Sequence, residues 1–295
     1  MSSEIFLKHQ LRSMKRILVP FDFSQLAVNA FRIALDLAER AKGKIYLIHV
    51  IELPVLHDTL LMPTLNFEKE LLKELREKAA TRFKKVTEKY GRNEVKVSWD
   101  VLFGPPSKTL LDLINAENFD LVVMGSHGAS GLREYVIGSN AEKIIRRSLI
   151  PVLITKKYTK RHIKNIVFPN TLETENQSAL IEKVKALQNF FQARLHVVWV
   201  NTPINFTSDV ITQQRLATFA NHYGLKQYTL NIFNHPNEED GIIHFNEFIG
   251  GDLIAMGTHG RKGVTHFFNG SVAEDVANHI ESPIWTYSLK NEDSV

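Results

Sequence analysis

An internal repeat limits the folds available to this chain of 295 residues more than any other feature of its sequence. The segment Phe119–Gly128 returns as Gly251–Gly260, and the pair Gly138-Ser139 returns as Gly270-Ser271, each time 132 residues later. Chance does not keep one register over so many positions. The chain therefore contains two copies of one structural unit, and two domains of ordinary size account for its length.

The two copies differ in length. Their opening apolar runs, Ile17–Pro20 and Ile166–Pro169, are separated by 149 residues, so the first copy is 17 residues longer than the second. We expect the additional residues around Pro54–Phe67, in a loop and at the start of a helix. We place the boundary between the two domains after residue 157, where an apolar run gives way to a polar stretch. Residues 1–14 form an N-terminal extension, residues 15–157 the first domain and residues 158–295 the second.

Short apolar runs alternate with stretches of helical periodicity in each copy. In the first copy the predicted strands are residues 17–21, 45–51, 95–103, 121–124 and 152–155. The predicted helices are residues 24–42, which Gly43 ends as a C-terminal cap, a long charged stretch after the second strand, and residues 107–116 and 139–147. This alternation predicts an α/β fold of two tandem doubly wound domains, each with a five-stranded parallel sheet flanked by helices.

Composition excludes several classes of protein. Cysteine is absent, which excludes disulfides and thiolate metal sites. No apolar run reaches the roughly 20 residues that a bilayer crossing requires, and the first residues lack a secretory pattern. The net charge of +4 comes from the first half, where Lys69–Lys96 mixes lysines and glutamates as a solvated helix face does. We therefore expect a cytoplasmic protein without a membrane or nucleic-acid partner, and the histidine spacing indicates no metal site.

A ligand of a doubly wound sheet binds beyond the carboxyl ends of the strands, where the strand order reverses. The fourth strand is followed by Gly125-x2-Gly128-x9-Gly138-Ser139, and the first strand by Asp22. The glycines permit sharp turns, and a helix beginning at Ser139 offers amide N–H groups to an anion. A phosphate chain is expected there, with Asp22 accepting hydrogen bonds from ribose hydroxyls. The alternative is that these residues serve the fold alone. Dinucleotide and P-loop glycine patterns are absent.

The second copy repeats the glycine pattern but not the carboxylate. Gly257, Gly260, Gly270 and Ser271 keep the same spacing, while Thr171 stands where the first copy has Asp22. A threonine hydroxyl cannot offer a charged carboxylate to two ribose hydroxyls. We expect this substitution to reduce the binding free energy of the second site by about 1–2 kcal/mol, which is a tenfold or greater loss in affinity. We expect the second site to be the weaker one.

These motifs resemble those of the universal stress proteins, in their tandem two-domain form, over nearly all of residues 15–290. The resemblance implies an adenine nucleotide alpha hydrolase-like fold that binds ATP or another adenine nucleotide, with Mg²⁺ on the phosphates. It places the first nucleotide site on Pro20, Asp22, Val50, Met124, Gly125, His127, Gly128, Gly138, Ser139 and Asn140. It places the weaker second site on Pro169, Thr171, Val200, Gly257, Gly260, Gly270, Ser271 and Val272.

The favoured function is a nucleotide-binding regulator or sensor in a stress response, rather than an enzyme. One alternative is a slow ATPase or an enzyme that transfers a phosphate or nucleotidyl group, for which His127 and His259 are the candidate bases. Another is a scaffold without a ligand. In tandem members of the resembled family the last strands of the two domains pair. We therefore expect Val152–Thr155 to pair with Ile284–Tyr287 within the chain, and two chains to form a homodimer.

Overall fold

The computed structural model describes residues 14–53, 65–126, 138–160, 162–259 and 270–289. Strands and helices alternate along the chain. The strands are β1 (Arg16–Pro20), β2 (Lys44–Ile51), β3 (Lys96–Phe103), β4 (Leu121–Gly125), β5 (Val152–Thr155), β6 (Asn165–Pro169), β7 (Arg194–Asn201), β8 (Tyr228–Asn234), β9 (Leu253–His259) and β10 (Ile284–Leu289). The helices are α1 (Gln25–Ala41), α2 (Leu65–Tyr90), α3 (Pro106–Ala116), α4 (Ser139–Arg147), α5 (Ser178–Phe191), α6 (Asp209–His222), α7 (Glu238–Ile249) and α8 (Gly270–His279).

All strands lie in one sheet with the order β3-β2-β1-β4-β5-β10-β9-β6-β7-β8. Within each repeat all neighbouring strands are parallel, which confirms the predicted fold class. Between the repeats β10 runs antiparallel to β5, with Leu153 opposite Trp285. In the first repeat the order reverses between β1 and β4, so the ligand crevice of a doubly wound sheet falls beyond their carboxyl ends.

Buried apolar side chains lie on both faces of the sheet, because helices cover both. Helix α1 shows how the sequence produces this. Its small residues Ala30, Ala34 and Ala38 are fully buried, so the helix axis lies close to the strands. Trp199 and Trp285 are buried in the strands and belong to this core.

The end of α1 differs in detail from the prediction. The residue in the left-handed conformation is Lys42, with φ 51° and ψ 44°, and not Gly43. The N–H of Gly43 then donates to the carbonyl of Ala38 over 2.8 Å. Glycine is required at residue 43 for another reason, since a Cβ there would lie 2.8 Å from the carbonyl oxygen of Lys15.

The extra length of the first repeat lies mainly in helix α2. Helix α2 has 26 residues, whereas its counterpart α6 has 14. The connection before α2 falls mostly on residues 54–64, which lie outside the described residues. Within the described part of the chain, none of the helices combines the length and the apolar character that a membrane span requires.

Candidate functional site

A cavity of about 330 Å³ lies in the first repeat, beyond the carboxyl ends of β1, β2 and β4. It is bounded by the first turn of α4 and by α3. Eight of the ten residues predicted for the first site line it: Pro20, Asp22, Val50, Met124, Gly125, Gly138, Ser139 and Asn140. His127 and Gly128 lie outside the described residues. Residues from four separate parts of the sequence therefore meet at one crevice.

Asp22 lies in the turn between β1 and α1. Its Oδ1 accepts a hydrogen bond from the N–H of Ser24 over 3.0 Å. Phe23, between them, has a φ of 66°, which is uncommon for a residue other than glycine. The hydroxyl of Ser24 then caps α1 by accepting from the N–H of Ala27. Asp22 thus stabilises the turn and also lines the cavity.

The first turn of α4 forms the opposite side of the cavity. Gly138 is the N-cap residue, with φ −65° and ψ 143°, and no side chain caps the helix there. The first helical hydrogen bond runs from the N–H of Glu142 to the carbonyl of Gly138. The N–H groups of the three residues between them have no partner within the helix. This helix end favours an anion, and the exposed side chains of Ser139 and Asn140 add polar groups beside it.

The remaining wall of the cavity is apolar, and sequence reasoning had identified only part of it. Ile48, Pro106, Leu110, Ala141 and Ile144 line the cavity beside the predicted Val50 and Met124. They come from β2, α3 and α4. An apolar wall facing a helix N-terminus can hold a flat ring at one end and an anionic group at the other.

His49 also lines the cavity, and sequence reasoning assigned it no role. Its Nδ1 lies 2.8 Å from the carbonyl oxygen of Phe21. A carbonyl only accepts, so Nδ1 carries the hydrogen and Nε2 is left as an acceptor. Burial lowers the pKa of His49 below its usual value. The imidazole is therefore neutral at pH 7, and the signal for it was its position directly before Val50.

Gly125 has a packing role in addition to its place in the cavity wall. A Cβ at this position would lie 2.8 Å from the Cβ of Leu26 and 3.1 Å from its carbonyl carbon. The backbone of α1 therefore passes too close to β4 for any other residue. In the second repeat the one close contact of a Cβ on Gly257 would be with the end of the Leu180 side chain, at 2.7 Å, and Leu289 would lie at an ordinary 3.7 Å.

In the second repeat the residue equivalent to Asp22 belongs to an internal hydrogen-bond network. Thr171 is 6% exposed, and its Oγ1 accepts a hydrogen bond from Nε2 of Gln177 over 3.3 Å. Oε1 of Gln177 accepts from the side chain of Asn170 over 2.6 Å, and Arg215 donates to the carbonyl of Thr171. The hydroxyl that replaces the Asp22 carboxylate is thus buried and engaged by Gln177 inside the protein.

Two further substitutions separate the repeats. Trp199 of β7 takes the position of His49 in β2, and the Arg215 guanidinium lies 4.8 Å from the centre of its ring. Glu238 is the first residue of α7, as Pro106 is of α3. Burial, with a smaller contribution from Glu239, raises the pKa of Glu238 to about 8. A carboxyl group here opposes a bound phosphate whenever it is ionised.

The other residues predicted for the second site keep their backbone positions. Pro169 ends β6, and Val200 is the next-to-last residue of β7. Gly257 lies in β9, and Gly270 begins α8. Ser271 follows Gly270, and Val272 is buried. Gly260 lies outside the described residues.

The fold and this crevice define a doubly wound α/β protein with a cavity at the switch point of the strand order in its first repeat. The model of the universal stress protein family matches residues 14–156 and again residues 162–288. The chain therefore belongs to the universal stress protein family and carries two copies of the family domain.

Known relatives agree with this assignment. A universal stress protein of Methanocaldococcus jannaschii is 31% identical over 146 residues, which cover 50% of this chain and 84% of the relative. One from Synechocystis sp. is 24% identical over 293 residues, which cover 93% of this chain and all of the relative. The crystal structure of a universal stress protein from Archaeoglobus fulgidus covers 94% of this chain and 99% of its own, with a TM-score of 0.70 and 20% identity. That similarity shows the tandem fold.

The packing at Gly125 predicts a stability difference between the two repeats. We expect Gly125→Ala to destabilise the protein by about 1–3 kcal/mol, because the new Cβ forces the start of α1 to move. The matched control is Gly257→Ala, where the flexible end of Leu180 can move away at a smaller cost. Thermal unfolding followed by circular dichroism compares the two. Equal melting temperatures for the two variants would show that the contact with Leu26 does not require glycine.

The carboxyl group of Glu238 predicts a pH-dependent stability. Its pKa is higher in the folded protein than in the unfolded chain, so its stabilising contribution is complete below about pH 4.5 and is lost as the pH rises to about 8. We expect Glu238→Gln to match the parent protein near pH 4.5 and to melt about 2–6 °C higher near pH 8.5. Glu247→Gln, an exposed position on the same helix, is the control. A difference in melting temperature between Glu238→Gln and the parent protein that stays constant across this pH range would contradict the raised pKa of Glu238.

Proposed function

We propose that the chain binds ATP or a related adenine nucleotide in the crevice of the first repeat and acts as a cytoplasmic regulator or sensor in a stress response. One observation carries the proposal. The cavity brings the Asp22 carboxylate, an apolar wall and the N-terminus of α4 together within one space of about 330 Å³. That volume is within the range of sites for small molecules and cofactors.

The chemistry of the lining residues fits a nucleotide. The apolar residues of β2 and α3 would hold the adenine ring, and Asp22 would accept hydrogen bonds from ribose hydroxyls. The phosphates would lie at the first turn of α4, with the Ser139 hydroxyl as an additional donor. Asp22 is the one carboxylate among the described lining residues. Mg²⁺ commonly takes few protein carboxylates and is held largely by phosphates, so this lining suits it.

The contrast between the repeats supports a single strong site per chain. In the second repeat the Thr171 hydroxyl is buried, a tryptophan replaces His49 and the Glu238 carboxyl stands at the helix start that Pro106 occupies in the first. Each change removes a ligand group, occupies space or adds an acidic group. We propose that the second repeat is a structural partner whose own site is weak or unoccupied.

Binding is favoured over catalysis because few ionisable side chains line the cavity. Asp22 and His49 are the ionisable side chains among the described lining residues. Oδ1 of Asp22 already accepts from Ser24, and Nδ1 of His49 already donates to Phe21. A slow ATPase remains the alternative function, and it would release ADP during a binding titration whereas a sensor would not.

The proposal includes assembly. Pairing of β5 with β10 supports a chain whose two domains act as one unit. Ile204, Phe206 and Val210, between β7 and α6 and in its first turn, are 89%, 70% and 69% exposed. Exposed apolar side chains of this size favour contact with a second copy. Light scattering on purified protein is expected to give twice the chain mass of 33.7 kDa, and a monomer at all concentrations would exclude the homodimer.

Replacement of Asp22 tests the nucleotide site directly. Asp22→Asn keeps an oxygen that can accept from the N–H of Ser24, so the turn and the melting temperature should change little. It removes the charge that would face the ribose, and we expect the Kd for ATP with Mg²⁺ to rise about tenfold, a change of about 1.4 kcal/mol. Isothermal titration calorimetry measures the effect.

The control for this titration is Asp112→Asn, which removes the same charge from an exposed position on α3. It should bind as the parent protein does, with one nucleotide per chain. Absence of any binding heat in the parent protein with ATP, ADP or AMP would overturn the proposed function. Two equivalent sites per chain would overturn the assigned difference between the repeats.

A further inference from the structure

A second cavity, here called the linker cleft, lies where the two repeats meet. Its volume is about 480 Å³, which is within the range of sites for small molecules. The second half of α1 forms one side, and the last residue of α5 with the loops before β9 and β10 forms another. Residues of the segment that joins the repeats, such as Lys157 and Ile163, form the third side. The linker cleft has no described lining residue in common with the crevice of the first repeat.

Part of the lining of the linker cleft is apolar. Leu37 and Leu153 of the first repeat are 5% and 4% exposed. Ile33, Ile163 and Phe191 are half-buried beside the same space. These side chains come from both repeats, so an apolar group in the linker cleft would displace water from both at once.

The acidic side chains of the linker cleft already have partners. Four of them line it: Asp36, Glu39, Asp252 and Glu281. The first two accept hydrogen bonds from the guanidinium of Arg92. The third accepts from the backbone N–H groups of residues 164 and 165, over 2.9 and 3.0 Å. The fourth lies 2.5 Å from Nζ of Lys157. Each carboxylate therefore has a donor within the protein, with which a cationic ligand would have to compete.

The basic side chains of the linker cleft differ in this respect. Arg40, Lys160 and His162 line it and are exposed. In the part of the chain that the structure describes, none of the three forms an ion pair with a carboxylate. Thr159 adds a hydroxyl group beside them. The donors that the linker cleft offers to a ligand therefore include two full positive charges, which favour an anion.

Arg40 is positioned by aromatic rings at the end of α5. Its guanidinium carbon lies 5.3 Å from the centre of the Phe190 ring and 5.7 Å from that of Phe191. Both distances are within the range of a cation–π interaction. The rings restrict this long side chain without providing an acceptor oxygen, so its N–H donors remain available to a planar anion such as a carboxylate.

The joining segment is fixed at both ends of the linker cleft. The side chain of Asn29 in α1 donates to the carbonyl of Lys156 over 3.0 Å. Nζ of Lys156 donates to the carbonyl of Asn278 in α8 over 2.5 Å. At the other end, Asp252 accepts from the N–H of Lys164. Walls that are held in this way reduce the ordering cost of binding a ligand.

We propose that the linker cleft is a further ligand site of this protein and that it binds a small amphipathic anion, a carboxylate with an apolar body. The carboxylate pairs with Arg40 and Lys160, and the apolar body packs on Leu37 and Leu153. Such a ligand contacts α1 of the first repeat and α5 of the second at the same time. It therefore stabilises the contact between the repeats from a position outside the crevice of the first repeat.

A matched pair of probes tests the charge of the ligand. Naphthalene-1-acetate has the carboxylate, and naphthalene-1-acetamide has the same apolar body without the charge. In isothermal titration calorimetry with the full chain we expect one molecule of the acid per chain. The amide is expected to bind about tenfold more weakly, because it cannot form a charge-assisted pair with Arg40.

Variants of the basic side chains test the site itself. Arg40→Gln is expected to raise the Kd for naphthalene-1-acetate about tenfold. The matched control is Arg147→Gln, which removes an exposed arginine from the last turn of α4 and should leave the Kd unchanged. Melting temperatures without probe show whether each variant folds, and Lys160→Gln provides a second removal of charge on the exposed linker. Asp22→Asn should bind the acid as the parent protein does, which separates this proposal from that of the nucleotide site.

Protection of an introduced thiol locates the probe, because the chain has no cysteine. Saturating naphthalene-1-acetate is expected to slow the alkylation of Thr159→Cys several-fold. It should not affect Glu94→Cys, an exposed position before β3. The proposal is wrong if the parent protein does not bind the acid or binds acid and amide equally. Equal effects of Arg40→Gln and Arg147→Gln, or alkylation of Thr159→Cys at an unchanged rate, would place the probe elsewhere and would also overturn it.

Discussion

The antiparallel pairing of β5 with β10 determines how the two halves of this protein are built. Each repeat alone would expose the edge of a parallel sheet, and the pairing covers both edges at once. Hydroxyl groups of the second repeat extend the contact to helix α4 of the first. Ser288 Oγ donates to the carbonyl of Arg146 over 3.3 Å, and Thr258 Oγ1 donates to that of Ile145 over 3.4 Å. Carbonyls in the last turn of a helix lack partners within the helix. The second repeat therefore supplies hydrogen-bond donors to the carbonyls at the end of α4 that is opposite the cavity.

The two repeats share a backbone and differ at the crevice. The turn after the first strand has a residue with a left-handed backbone in both, Phe23 and Leu172, with φ 66° and 63°. In the first repeat that turn presents Asp22 to the cavity. In the second it buries Thr171 against Gln177. The same local conformation therefore supports a carboxylate that lines the cavity in one repeat and an internal hydrogen-bond network in the other.

The sequence was sufficient to predict the fold class because the fold class depends on features that are local or periodic. Apolar runs of strand length, helical spacing and the duplicated glycine pattern all point to two doubly wound units, and the structure has them. The glycine pattern and Asp22 also located the crevice. The location of the crevice could be predicted because it depends on residues that are neighbours in the sequence, such as Gly138 and Ser139 at the start of α4.

What sequence reasoning missed depends on contacts between distant segments. The role of Gly125 follows from the approach of Leu26, about one hundred positions earlier in the chain, and no local pattern reveals it. The tautomer of His49 follows from the carbonyl of Phe21, which comes directly after the neighbouring strand β1. The raised pKa of Glu238 follows from burial that only the packed structure defines. Sequence spacing likewise suggested Gly43 as the helix cap, whereas the close approach of Lys15 sets the need for glycine and Lys42 takes the left-handed conformation.

The position of α4 bears on how a sensor of this design would work. Its nine residues run from the cavity, where Ser139 and Asn140 line the wall, to the carbonyls that the second repeat binds. A helix of this length is about 13 Å long and moves as one body. If a nucleotide draws the first turn of α4 toward its phosphates, the far end can follow only by moving relative to Ser288 and Thr258. A ligand bound by the first repeat alone would then act on the contact between the repeats, and the second repeat would contribute to the response without a nucleotide of its own.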